Sequence, residues 1–80
     1  MNFTELKNEL QASLIADDVI IGGDDYHIQL TIIAAQFSGL AKIKRQQAVY
    51  AVLNPYIQQG DLHAVTMKTY TPEEWIHVSK

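Results

Sequence analysis

Three histidines and one short basic run are where this chain could do chemistry. His63 heads the alternating stretch His63-Ala64-Val65-Thr66-Met67-Lys68, so an extended backbone would hold its ring at the end of a strand. Imidazole nitrogen is a good metal ligand, and histidine can replace cysteine on the iron of some iron–sulfur clusters. A strand-start histidine is more often a half-buried packing residue, so the residue alone leaves both roles open. His27 opens a second extended stretch, and His77 falls in the last helical segment, where a solvated surface position is expected.

Lys42, Lys44 and Arg45 gather three of the six basic residues at the start of a long helix, followed by Gln46 and Gln47. A helix N-terminus attracts anions, and side-chain amides can reach base edges or phosphates, which makes these five residues the nucleic-acid candidates. The plain alternatives are a solvated helix end or a docking surface for an acidic partner. Catalysis finds no footing. No serine or cysteine nucleophile is paired with a base in a known motif, and no glycine-rich phosphate loop is present. Asp24 with His27, or Asp61 with His63, could be drawn as dyads, but both spacings arise commonly by chance. The chain reads as a non-enzyme.

The elements that must position these residues are explicit in places. Phe3, Leu6, Leu10 and Leu14 recur at helical spacing from Asn2 to Leu14, and Asn2 with Glu5 resembles a capping box. Val19–Ile21 is a short β-branched run, and Gly22-Gly23-Asp24-Asp25 is a turn cluster. Tyr26–Ala35 alternates, with Ile28, Leu30, Ile32 and Ala34 on one face and Gln29 and Thr31 on the other, so the two runs form a hairpin. Phe37-Ser38-Gly39 then separates the sheet from a helix over Ile43–Gln59, with an extra helical turn expected at Leu40–Lys42. The apolar arc of that helix holds Val49, Val52, Leu53, Tyr56 and Ile57; Lys44, Gln47 and Gln58 project away, and Arg45 lies near the edge of the arc. Pro55 predicts a kink, or a break at Asn54, because it lacks an N–H and crowds the carbonyl of Ala51. Gly60 ends the helix. After the third strand, Thr71 caps a final helix, with Pro72 at its first position and Glu74 three residues after the cap. Tyr70 and Trp75 are placed as a hydrophobic staple, and Ile76–Lys80 is expected to fray.

The order is α-β-β-α-β-α, an α/β (α+β) arrangement with helices covering one face of a three-stranded mixed sheet. Eighty residues with 48% hydrophobic content make a single domain over residues 1–80, of a size that buries only roughly 60% of its unfolded surface. There is no cysteine, so no disulfide is available, which accords with a reducing, cytoplasmic setting. Met1–Leu10 lacks the apolar region of a signal peptide, and no apolar run is long enough to span a bilayer. A net charge of -3 argues against nucleic-acid binding by bulk charge, so any such binding needs a local patch. Edge strands of a three-stranded sheet could also pair with a second copy of the chain.

Several segments together carry a resemblance. Phe37-Ser38-Gly39, Lys44-Arg45-Gln46-Gln47-Ala48-Val49-Tyr50, Leu62-His63-Ala64-Val65 and Lys68-Thr69-Tyr70-Thr71-Pro72-Glu73-Glu74-Trp75 resemble the BolA family, closest to its IbaG branch. The likeness covers nearly the whole chain and is weakest before Gly22. It implies a class II KH-like fold, which agrees with the order read above. It also implies two roles: partnership with a monothiol glutaredoxin in [2Fe–2S] cluster assembly, trafficking and iron homeostasis, or DNA-binding transcriptional regulation of stress and envelope genes. The family's ligand histidine falls on His63. Its second ligand, from the loop between the first two strands, meets Asp24 here, with His27 just after the loop at the opening of the second strand, so His27 is the second ligand candidate and Asp24 an oxygen alternative. Clusters are ordinarily held by thiolates and this chain has none, so it holds no cluster alone. A cluster would be shared with a partner that brings sulfur, as a glutaredoxin cysteine with glutathione would. The G-x-x-G loop of RNA-clamping KH domains is missing at Phe37-Ser38-Gly39-Leu40-Ala41, which argues against that mode of RNA binding.

Overall fold

A computed structural model describes residues 2–24 and 26–78. Asp25 of the expected turn, and Ser79 and Lys80 of the expected fraying end, lie outside the described residues. The elements run α1 (Phe3–Leu14), β1 (Asp18–Gly23), β2 (His27–Ile33), a 3-10 turn (Ala35–Phe37), α2 (Lys42–Gln58), β3 (Ala64–Tyr70) and α3 (Pro72–Val78). The sheet order is β1-β2-β3. β1 and β2 pair antiparallel as a hairpin, and β3 runs parallel to β2 with His27 opposite Ala64 and Ile33 opposite Tyr70. Connecting two parallel strands requires a crossover, which α2 supplies.

One apolar cluster holds the layers together. Leu6, Leu10 and Leu14 of α1 and Val49 and Leu53 of α2 meet Val19, Ile28, Leu30, Ile32, Ala34 and Phe37. The alternation in β2 therefore has the expected sense: Ile28, Leu30 and Ile32 are buried, while His27 and Gln29 are exposed. Val65 and Met67 of β3 pack against the same cluster, with Thr66 and Lys68 exposed on the opposite face.

The local signals at the helix ends are realised to different degrees. Asn2 Oδ1 accepts from the Glu5 N–H, which is half of a capping box. At α3 the box is reciprocal: Glu74 N–H donates to Thr71 Oγ1 at 3.1 Å, and Thr71 N–H donates to Glu74 Oε1 at 2.9 Å. The Tyr70 and Trp75 rings lie 5.5 Å apart and close the staple.

Two expectations need correction. The short helical turn lies at Ala35–Phe37 and not at Leu40–Lys42, because Phe37 is drawn fully into the core and its N–H closes onto the Ala34 carbonyl. The break at Asn54 does not occur, and α2 continues through Pro55 to Gln58. Pro55 and Ala51 both lie on the exposed side, so water can satisfy the carbonyl that loses its partner while Leu53 holds the buried side. No helix among the described residues is long and apolar enough to cross a membrane.

Candidate functional site

His63 sits just before β3, where the Ala64 N–H donates to the Tyr26 carbonyl and brings the β1–β2 loop alongside. The Tyr26 and His63 rings stack with centroids 5.5 Å apart and planes inclined by 28°. Tyr26 is 77% exposed and His63 is exposed, so the pair stands at the end of the sheet and not in the core. Among the described residues no hydrogen bond reaches the His63 ring. The half-buried packing role left open by the sequence is therefore not the one the fold gives it.

The loop is built by Asp24. Its Oδ1 accepts from the N–H groups of both Tyr26 and His27, at 3.0 and 2.9 Å, an Asx turn that reverses the chain. Those two backbone bonds, that of His27 first, hold the Asp24 carboxyl below its ordinary range. Gly23 makes the reversal possible with φ of +88°, and the Asp24 N–H returns to the His27 carbonyl at 3.0 Å.

His27 lies differently from His63. It shares its side of the pleat with Gln29, on the open face, and its Nε2 lies 2.6 Å from Thr66 Oγ1. His63 lies in the bend before β3, outside the alternation that places Val65 and Met67 toward the core, and its ring meets Tyr26 and not Thr66. His27 pairs in register with Ala64, the residue after His63, and the two imidazoles have different partners. Among the described residues no three metal-ligating side chains converge. The donor set at the loop is one exposed imidazole beside a carboxylate already bound to backbone, with no thiolate in the chain. Such a set offers one imidazole nitrogen and no sulfur ligand.

The five nucleic-acid candidates do not form one patch. Positions two apart on a helix face away from each other, so Lys42 and Lys44, both exposed, lie on different sides of α2. Gln46 is half-covered and Gln47 exposed on the side of Lys44. Arg45 is engaged inside the molecule. Its guanidinium pairs with both Glu74 oxygens at 2.6 and 3.2 Å, donates to the Thr69 carbonyl at 3.2 Å and to the Leu40 carbonyl at 3.0 Å, and lies over the Phe37 ring. With only 12% of its side chain exposed, it ties α2, β3 and α3 together. Nothing in the run Lys44-Arg45-Gln46-Gln47 distinguished this clamp from a solvent cation. The partners Thr69 and Glu74 lie 24 and 29 residues away. Tyr26 and Thr66, the neighbours of the two histidines, were likewise missed; each becomes a neighbour only once β3 is set in register with β2.

The clamp sets a pH dependence. Arg45 first, and the Thr71 N–H second, hold the Glu74 carboxyl at about 2, against an ordinary 4.5. A depressed carboxyl stabilises the fold above its unfolded value and loses that contribution as pH falls toward its folded value. The stability difference between the wild type and Glu74→Gln should thus be constant from neutrality down to about pH 5 and shrink between 4.5 and 2. Urea titrations across that range, followed by circular dichroism, would show it; a difference that fades already above pH 5 would contradict the clamp.

Comparisons with known proteins agree with this geometry. A family model described as BolA-like protein matches residues 4–74. The acid stress protein IbaG of Escherichia coli K12 is 37% identical over 75 residues, covering 94% of this chain and 89% of that protein. A BolA homologue from Coxiella burnetii superposes with a TM-score of 0.81 at 30% identity, over 95% of this chain and 97% of the other. BolA1 from Arabidopsis thaliana gives 0.80 at 27% identity, over 89% and 92%. Sequence and fold converge, and the chain belongs to the BolA family.

Proposed function

We propose that this chain is an adaptor that docks with a monothiol glutaredoxin and shares its [2Fe–2S] cluster, His63 lending one nitrogen ligand to iron. The observation that carries the reading is the His63 ring: exposed, free of hydrogen bonds among the described residues, and steadied by Tyr26. A ligand offered to a partner's cluster must be accessible, unprotonated at one nitrogen and held in place. The lack of cysteine fixes the division of labour, with thiolates and glutathione coming from the partner's side. Within the chain, Asp24 shapes the loop and Tyr26 orients the imidazole. His27 becomes a second ligand only by leaving Thr66.

The test is to add the purified chain to a monothiol glutaredoxin carrying its glutathione-ligated cluster and follow visible circular dichroism. The wild type should change the spectrum, His63→Ala should abolish the change, and His27→Ala should retain it. An unchanged spectrum with wild type would sink the adaptor reading. Loss with His27→Ala and not with His63→Ala would move the ligand to the open face.

A second reading, a DNA-binding regulator, draws on Lys44 and Gln47, exposed one helical turn apart on α2. Arg45 contributes little to it, being neutralised by Glu74. If Lys44 contacts a phosphate, Lys44→Ala lowers the slope of log affinity against log salt by about 1 for a duplex oligonucleotide. An unaltered slope removes Lys44 from any such interface.

A further inference from the structure

We propose that the groove along the outer edge of β3 is a docking site for an extended acidic peptide segment, which joins the sheet as a fourth strand. β3 ends the order β1-β2-β3, so one of its two edges has no strand beside it. Which residues face that edge follows from the bonds on the other side. Ala64 N–H donates to the Tyr26 carbonyl and the Tyr70 carbonyl accepts from Ala34, so Ala64, Thr66, Lys68 and Tyr70 turn their backbone groups toward β2. Val65, Met67 and Thr69 turn theirs outward. The Thr69 carbonyl is taken by Arg45, and among the described residues no hydrogen bond reaches the outward groups of Val65 or Met67. Arg45 therefore marks where an added strand must stop, and the two residues before it are open to pairing.

The groove beside this edge encloses about 620 Å³ between the start of α2, β3 and α3. Leu40, 40% exposed, and Val78, 52% exposed, line it together with the half-buried Met67. Lys42 and Lys68 stand on opposite banks: Lys68 is on the open face of the sheet and Lys42 is on α2, on the helix side. Neither has an ion-pair partner among the described residues, whereas the one carboxylate in the lining, Glu74, is already neutralised by Arg45. In a chain of net charge -3 this edge is locally cationic. A strand alternating acidic and apolar side chains matches it, with backbone bonds to Val65 and Met67, apolar side chains against Leu40, Met67 and Val78, and carboxylates at the two lysines. Two free cations flanking an apolar floor are few for a nucleic-acid backbone, whose affinity grows with each phosphate neutralised. The groove is lined from Met67 to Tyr70, beyond Val65, and the peptide experiment uses neither His63 nor a cluster, so the two proposals fail separately.

The experiment uses a fluorescein-labelled synthetic peptide of alternating glutamate and valine, with a lysine–valine peptide of equal length as the opposite charge pattern. Anisotropy should show binding of the acidic peptide alone, weakened about tenfold or more by Lys42→Glu combined with Lys68→Glu. Hydrogen exchange should show new protection at the Val65 and Met67 amides in the complex. Both substituted lysines are exposed, and far-ultraviolet circular dichroism verifies that the double variant is folded. Failure of the acidic peptide to bind, indifference to the double charge reversal, or protection elsewhere overturns the proposal. Displacement of the peptide by a single-stranded or duplex oligonucleotide, with the same lysine dependence, gives the groove to nucleic acid instead.

Discussion

Gly23→Ala should destabilise the protein by roughly 4 kcal/mol, placing it among the severe single substitutions. Gly23 has φ of +88°, where an L residue is strained by about 1–2 kcal/mol. A Cβ there would stand 2.1 Å from the His27 carbonyl oxygen and 3.2 Å from its carbon. Both atoms are backbone, within the pairing that closes the β1–β2 hairpin, and cannot swing aside as a flexible side chain would. An 80-residue domain has only on the order of 5–10 kcal/mol to lose. Two other glycines separate the causes. Gly60 shares the positive φ, at +82°, but a Cβ would meet nothing within 4 Å, so Gly60→Ala should cost only about 1 kcal/mol. Gly22 has neither constraint, its nearest neighbour being the tip of Gln29 at 3.9 Å. Urea denaturation of the three variants should rank them Gly23 far above Gly60, and Gly60 above Gly22. Equal losses at Gly23 and Gly60 would mean that backbone conformation alone, and not the collision, sets the cost. The substitution also bears on function. The His27 carbonyl that it would push away accepts from Asp24, whose side chain shapes the loop bearing Tyr26, so His63 would lose its stacking partner.

These glycines also show what the sequence could and could not say. Gly22-Gly23-Asp24-Asp25 reads as a turn, yet Gly22 and Gly23 extend β1 opposite Gln29 and Ile28, and nothing in the run tells which glycine is indispensable, because that depends on the carbonyl of His27 folding back over Gly23. Signals completed within a short stretch of sequence were legible: the Thr71–Glu74 box, the Tyr70–Trp75 staple and the alternation of β2. The break at Asn54 did not follow from Pro55 because its effect is decided by which side of α2 faces water, and the exposed side tolerates the missing bond. Arg45 misled for a related reason. Its charge is local information, but its partners arrive from β3 and α3, so a contiguous basic run dissolved into one clamp and two lysines on different faces. His27 and His63 belong to the same end of the sheet, as their strands imply, but one ring meets Thr66 and the other Tyr26.

Phe37→Ala carries the second large effect, a loss of about 3–5 kcal/mol for an aromatic ring truncated in a closed core. Phe37 is fully buried, the largest such side chain in the fold, and it anchors the turn that leads from β2 into α2. Its ring has a second task. The Arg45 guanidinium carbon lies 5.9 Å from the ring centroid, a cation–π contact of about 0.5–2 kcal/mol that also fixes where the guanidinium can sit. Phe37→Leu separates the tasks, since it refills much of the cavity and removes the ring face. If the ring positions Arg45, the leucine variant remains folded but its clamp loosens, and Glu74 titrates closer to its ordinary 4.5 than to about 2. The acid-side loss of stability then begins at the same pH as in the wild type, set by the unfolded carboxyl, but is smaller and is complete at a higher pH, because a carboxyl less depressed when folded contributes less above its unfolded value. Urea midpoints of Phe37→Leu and Phe37→Leu/Glu74→Gln, compared across pH 2–7 with the pair lacking the leucine change, read this directly. A Glu74 effect equally large in both backgrounds would reduce Phe37 to core filling, and the clamp would then owe its geometry to the carbonyls of Leu40 and Thr69 alone.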